Sequence, residues 1–189
     1  MLERFKVPEK DRVYVPQDRV RAATEAILRH NRLTPDAAST SADVLIKNDL
    51  RGVESHGVSN GLRRYVAEYG SNKLNPTPEF RVTRESKTTM TIDADRALGI
   101  HVGPWAMQHA IDRAKEFGIG AVAVTNSGHL AGCGYYAMMA ADQGMIGHCM
   151  TAGGSHQTVP TFGSKPVMGT NPIAWAAPAR DMPPLLFDV

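Results

Sequence analysis

The sequence predicts an α/β fold: a mostly parallel or mixed sheet with covering helices, preceded by an amino-terminal α-helical subdomain. Three observations carry this. Apolar residues in the first third recur at helical spacing behind recognisable start signals. After the linker-like "SNKLNPTP" the period changes to strand alternation, and from Ile119 a strand, a helix and a strand follow in close succession. These place the helical subdomain over residues 1–75 and the first part of an α/β domain over 76–189.

Taken in order, Asp18 is the N-cap candidate for a helix through "RVRAATEAILRHNRL", with Val20, Ala23, Ile27 and Leu28 on its apolar face. In "TPDAASTSADVLIKNDLRG", Thr34 caps, Pro35 takes the first helical position and Gly52 closes the end. A third helix lies within Leu62 to Tyr69 and stops at Gly70. "EFRVTRESKTTMTIDAD" alternates on both sides of Glu85-Ser86-Lys87 and reads as a hairpin. A helix from about Val102 to Phe117 precedes Gly118, "IGAVAVT" reads as a buried strand, "YYAMMAADQG" as a helix and "MIGHCMT" as a strand. "GTNPIAWAAP" and "PPLLFDV" are two further strands.

Composition narrows the class. The formal charge of the 189 residues is only +2, and no basic block is interleaved with aromatics, which argues against a nucleic-acid partner. The charged start "MLERFKVPEKDRVYVP" has no secretory apolar segment, and no apolar run approaches the ~18 residues of a membrane span. A soluble, cytoplasmic protein without a membrane partner is expected. Cys133 and Cys149 are too few for a disulfide framework, lack metal-finger spacing and read as small core residues.

Chemistry concentrates in three stretches. In "VAVTNSGHLAGCGYYAMMAADQGMIGH", His129 follows a strand and precedes a helix, where open α/β sheets bind ligands. Between Glu116 and Lys165 the only formally charged side chain is Asp142, so a neutral His129 suits a general base. The alternative is a histidine that satisfies a backbone carbonyl at a helix start. "GCGYYA" fits G-x-G-x-x-A, but the acidic residue expected about twenty positions on is missing, and close helix packing explains the glycines equally well.

The second stretch, "DLRGVESHGVSNGLRRYVAEY", sets Ser55-His56-Gly57 at a turn between helices, with Arg63 and Arg64 following. A guanidinium there suits a carboxylate, whereas a solvated helix face with Ser55 as N-cap is the structural alternative. The third, "TAGGSHQTVPTFGSKPVMGTNPIAWAAP", is a rigid Gly/Pro-rich connection that includes Gly153 and Gly154 and ends in the tight turn "GTNP". A zinc site from His129, His148 and His156 lacks both a carboxylate and ligand spacing, so no metal is expected.

Together, "DLRGVESHGVSNGLRRY", "NSGHLAGCGYYAMMAADQGMIG" and "GTNPIAWAAP" resemble the malate/L-lactate dehydrogenase family of the second type. That family includes ureidoglycolate and sulfolactate dehydrogenases and piperideine-2-carboxylate reductases. The resemblance runs in order from about Tyr14 to Val189. It implies hydride transfer between NAD or NADP and a 2-hydroxy or 2-imino acid, with the 2-oxo acid on the other side of the reaction. It also implies a non-Rossmann nicotinamide-cofactor fold and a homodimer. Carried onto this chain, it makes His129 the catalytic acid/base, with His56 as a second catalytic candidate and Ser55 beside it at the substrate. Asn60 stands where several members carry a substrate-binding Arg, leaving Arg64, or Arg63, as replacement. Thr170 and Asn171 match the turn near the active site and are substrate-binding candidates, Gly153 falls on a position that often contacts the cofactor or substrate, and Asp188, a cofactor-binding candidate, falls on the first residue of the family's "D-x-A-T-S". Members generally continue for roughly as many residues again, so the chain resembles an amino-terminal half. The alternative from another class is a truncated, catalytically silent α/β module that binds a partner chain or a small acid.

Overall fold

The computed structural model describes residues 7–153 and 156–189; the first residues of the charged start and Gly154 of the glycine-rich connection lie outside them. Helix α1 (Gln17–His30) follows Pro16 rather than Asp18, which sits in the first turn, where its carboxylate faces the positive end of the helix. Its buried residues are Thr24 and Leu28, while Ile27 stays 40% exposed. The burial line is rotated from the expected one because the Thr24 hydroxyl donates to the Val20 carbonyl at 2.8 Å, so a threonine enters the helix contact fully satisfied.

Helix α2 (Pro35–Leu50) begins as its sequence predicts: the Thr34 hydroxyl accepts from the Ala37 amide at 3.2 Å, and Pro35 occupies the first position. Ala38, Ala42, Val44 and Leu45 are fully buried, because this helix touches α1, α3, α4 and α5. Helix α3 covers Val58–Gly70, longer at its start than the expected segment. The hairpin β1 (Arg81–Glu85) and β2 (Thr89–Ala97) leads into α4 (Gly99–Phe117), which Gly118 closes at φ +83°. Then follow β3 (Ala121–Ser127), α5 (Gly134–Ala141), β4 (Gly147–Met150), β5 (Ile173–Ala177) and β6 (Leu185–Asp188).

The strands form two three-stranded sheets, β1-β2-β3 and β4-β5-β6. β2 and β3 run parallel through the α4 crossover; the other pairs are antiparallel. The mixed arrangement stands, and the mostly parallel one does not. The succession β3, α5, β4 makes no parallel pair, because α5 packs over β4, β5 and β6 and carries the chain into the second sheet. β3 is not buried on both faces either: Val122 and Val124 pack inward, while Ala121, Ala123 and Thr125 are exposed.

The largest core joins Leu28, Leu45, Leu62, Tyr65, Leu98, Ile100 and Tyr136, and so runs across residue 75 from the helical layer into the α/β part. Under the second sheet, Cys133, Ala137, Ala174 and Ala176 pack with Cys149, which puts both cysteines in the small-residue core. The outer face of that sheet is different. His148, Trp175 and Phe187 form one cross-strand row, and Leu185, Trp175 and Phe187 are 68%, 47% and 51% exposed. Among the described residues no helix is long and apolar enough to cross a membrane.

Two glycines test this packing. A Cβ on Gly147 would overlap the Ala137 carbonyl, whereas one on Gly70, at the end of α3, meets nothing within 4 Å. Gly147→Ala is expected to destabilise by about 1–3 kcal/mol, and Gly70→Ala to stabilise by about 0.4–1 kcal/mol. Urea unfolding midpoints that moved in the same direction for both variants would contradict the packing.

Candidate active site

The end of α2 builds one wall. Asn48 Nδ2 donates to the His56 carbonyl at 3.1 Å, and Asp49 Oδ2 accepts from the Val58 amide at 2.9 Å, capping α3 from a neighbouring helix. Gly57 lies between them because a Cβ there would run into the Asp49 carboxylate. Burial raises the Asp49 carboxyl above its usual range, with the Val58 amide pulling the other way. Ser55 is therefore not the helix cap. It lies in a 3-10 turn over Glu54–His56, with its Oγ 2.9 Å from His56 Nδ1. Asn60 Nδ2 donates to the Ser55 carbonyl at 2.6 Å, fixing the turn from α3.

The loop after β3 builds the other wall. Gly99, the first residue of α4, lets it settle on the helix end, since a Cβ there would lie 2.6 Å from the carbonyl oxygens of Gly128 and His129. The Gly128 amide donates to Ala97 at 2.7 Å, and buried Ala131 holds φ at +58°, a conformation costly for a residue with a Cβ. In this frame His129 Nδ1 is 2.8 Å from Tyr65 Oη, and its ring stacks on His56 with centroids 5.7 Å apart and planes 20° off parallel. The ring bonds a tyrosine hydroxyl of α3, not a backbone carbonyl. Burial lowers the His129 pKa to about 4, helped by the charge of Arg64 and by His56, with Glu68 opposing.

Arg64 and Arg63 are now distinguishable. Arg64 Nε donates to Glu68 Oε1 at 3.1 Å, and Lys73 Nζ reaches the same oxygen at 2.9 Å. Burial opposes ionisation of Glu68, but these bonds outweigh it and hold its carboxyl below the usual range. The Arg64 charge is felt at His129, and its side chain is 51% exposed. Arg63 is exposed and makes no side-chain hydrogen bond or ion pair among the described residues.

Ser55, His56, Asn60, Arg64 and His129 thus form one cluster. A second place gathers Gly153 and Asn171: the Gly153 amide donates to Asn171 Oδ1 at 3.2 Å, beside exposed Thr170. Asp188 bonds to neither group, its Oδ2 accepting from the Gly134 amide at 2.8 Å. That contact also explains "GCGYYA". Gly134 makes room for Asp188 and Leu186, and Gly132 for Asn48, so the helix start is already faced by a carboxylate. His148 lies on the second sheet stacked on Trp175, and His156 Nδ1 is 3.0 Å from the Val167 carbonyl. Among the described residues no three His, Cys, Asp or Glu side chains converge on a metal position.

Sequence reasoning missed Asn48, Asp49, Tyr65 and Glu68. Tyr65 gave a faint signal, a phenol at the apolar spacing of Leu62 and Tyr69, which reads as ordinary core until its partner is known.

The sequence profile of the malate/L-lactate dehydrogenase family matches residues 15–189. The chain belongs to that family. It is 44% identical to a malate dehydrogenase of Pyrococcus horikoshii over 94% of this chain and 49% of that one. Identity is 37% to an L-sulfolactate dehydrogenase of Methanocaldococcus jannaschii, over 79% and 43% of the two chains. It is 33% to a ureidoglycolate dehydrogenase (NAD(+)) of Escherichia coli O157:H7, over 83% and 44%. The solved P. horikoshii malate dehydrogenase superimposes with a TM-score of 0.92 over 100% of this chain and 53% of its own. The chain spans about half the length of these family members.

The lowered His129 pKa sets a pH dependence of stability. Between about 4 and the ordinary value of 6.5 the unfolded chain binds a proton that the folded one refuses, so stability falls as pH drops through that window. Burial lowers His101 as well, with the same sign. His129→Gln should flatten, without abolishing, the difference between urea midpoints at pH 4.5 and pH 7; an unchanged difference would contradict a buried neutral His129.

Proposed function

We propose that the chain is the acid-binding and proton-exchanging part of an NAD(P)-dependent oxidoreductase acting on a 2-hydroxy acid or the related 2-imino acid. The observation that carries this reading is the His129 site: a neutral imidazole held by Tyr65, stacked on His56 and within the field of Arg64. The names of the relatives, which are malate, sulfolactate and ureidoglycolate dehydrogenases, support the substrate class.

When bound, the nicotinamide supplies or accepts the hydride. Arg64 pairs with the substrate carboxylate through the nitrogens that Glu68 leaves unused. Ser55 and His56 hold the polar end of the acid, and His129 takes the hydroxyl proton on oxidation or returns it on reduction. A pKa of about 4 makes a weak base near neutrality, yet a bound carboxylate offsets the Arg64 charge that helps keep it low. Substrate binding therefore raises the proton affinity of His129 at the moment it is needed. Thr170 and Asn171 offer a hydroxyl and a side-chain amide N–H to the polar end of the substrate, while the Gly153 amide is taken by Asn171 Oδ1; Asp188 has one oxygen left beyond its bond to Gly134 for a cofactor contact. The cofactor in this reading is NAD or NADP.

The resemblance adds a homodimer. The exposed Trp175 and Phe187 face suits a polypeptide cover, which favours a docking module as the second reading. NADH fluorescence titration and turnover of 2-oxo acids by the purified chain separate the two: binding with turnover supports the oxidoreductase, and neither supports the module.

In protein that turns over, His129→Asn should reduce kcat roughly a hundredfold to ten-thousandfold while NAD(P)H still binds. Retention of about a tenth of kcat or more would remove His129 from the chemistry. Arg64→Ala should raise KM for the acid by about tenfold to a hundredfold, the loss of a charged hydrogen bond, with Arg63→Ala close to neutral. Reversed effects of the two would exchange their roles.

A further inference from the structure

The hydrogen bond between Tyr65 and His129 decides more than the position of a ring. A phenol and a neutral imidazole share one hydrogen across the 2.8 Å between Tyr65 Oη and His129 Nδ1, and either can donate it. Tyr65 is wholly buried, and among the described residues its oxygen has no other hydrogen-bond partner. If Nδ1–H were the donor, the phenol proton would be left buried without an acceptor. If the phenol donates, its proton is used and nothing at this contact is unsatisfied.

We infer that Tyr65 is a positioning residue that fixes resting His129 as the Nε2–H tautomer, so that the open site presents a hydrogen-bond donor and favours the oxo form of the acid. The inference rests on His129 being the proton carrier of the proposed reaction. A carbonyl oxygen at C2 can accept from Nε2–H directly. A hydroxyl proton can be taken at Nε2 only after the ring proton has moved from Nε2 to Nδ1 by exchange with solvent and the Tyr65 hydroxyl has turned to accept from Nδ1–H. Oxidation therefore requires a rearrangement that carbonyl binding does not. Burial raises the Tyr65 pKa, which keeps the phenol protonated, and so able to donate, throughout the working range.

The tautomer is read directly, without turnover, from nitrogen-15 spectra of the labelled 189-residue chain at neutral pH. Wild type should show His129 with protonated Nε2 and an Nδ1 shifted by an accepted hydrogen bond. In Tyr65→Phe the Nδ1 signal should move downfield to that of a bare nitrogen, and the second tautomer should grow. Tyr69→Phe, which removes a neighbouring buried phenol, should leave both signals in place. A protonated Nδ1 in wild type, or a Tyr65→Phe spectrum identical to wild type, overturns the inference. If Tyr65→Phe does not fold, the wild-type correlation between the Tyr65 hydroxyl proton and Nδ1 decides alone: its presence supports the assignment and its absence with protonated Nδ1 refutes it. Failure of the oxidoreductase reading would look different, as absent NAD(P)H-dependent turnover with the tautomer intact.

Discussion

The contact between Tyr65 and His129 ties the two halves of the site together. Tyr65 belongs to the same buried cluster as Leu45, Leu62 and Leu98, so its hydroxyl is placed by core packing. His129 sits on a loop, where precision is harder to hold. Several groups correct for this: Gly99 admits the loop backbone, Ala131 accepts a left-handed φ, and the Gly128 amide is bonded to Ala97. A site assembled from a rigid helix and a pinned loop keeps its geometry.

Electrostatics divide along the same line. On the His129 side burial suppresses charge, and the imidazole stays neutral. On the α3 side Glu68 is 9% exposed yet ionised, held between Arg64 and Lys73. A buried carboxylate with two cationic partners is no strong argument for stability, because desolvation offsets much of the attraction. Its evident effect is geometric. Glu68 fixes the orientation of Arg64, whose remaining nitrogens make no other side-chain hydrogen bond among the described residues.

Close backbone approach sets the scale of the rest. Gly147 meets Ala137 and Gly120 meets Ala110, so the helices lie against their sheets with no side chain between. Alanine-rich packing beneath β4, β5 and β6 follows from that closeness, and it draws α5 onto the second sheet instead of back over β3. The opposite face of that sheet carries the large side chains, Trp175, Phe187 and Leu185, in register and open.

The sequence by itself determined the order and kind of nearly every element, the cap at Thr34, the closure at Gly118 and the loop placement of His129, because these depend on neighbours within a few positions. It also carried the family, through short motifs whose order survives without knowledge of their contacts. Only the tertiary structure decided that the strands divide into two sheets, that Ser55 binds His56 instead of capping a helix, and that Arg64 is tied to Glu68 while Arg63 makes no such bond among the described residues. It alone revealed Tyr65, since a phenol at core spacing differs from a positioning residue only in what its hydroxyl meets, and that partner lies 64 residues away. Local patterns record what a residue prefers; which distant atom satisfies it depends on how the helices and sheets come together.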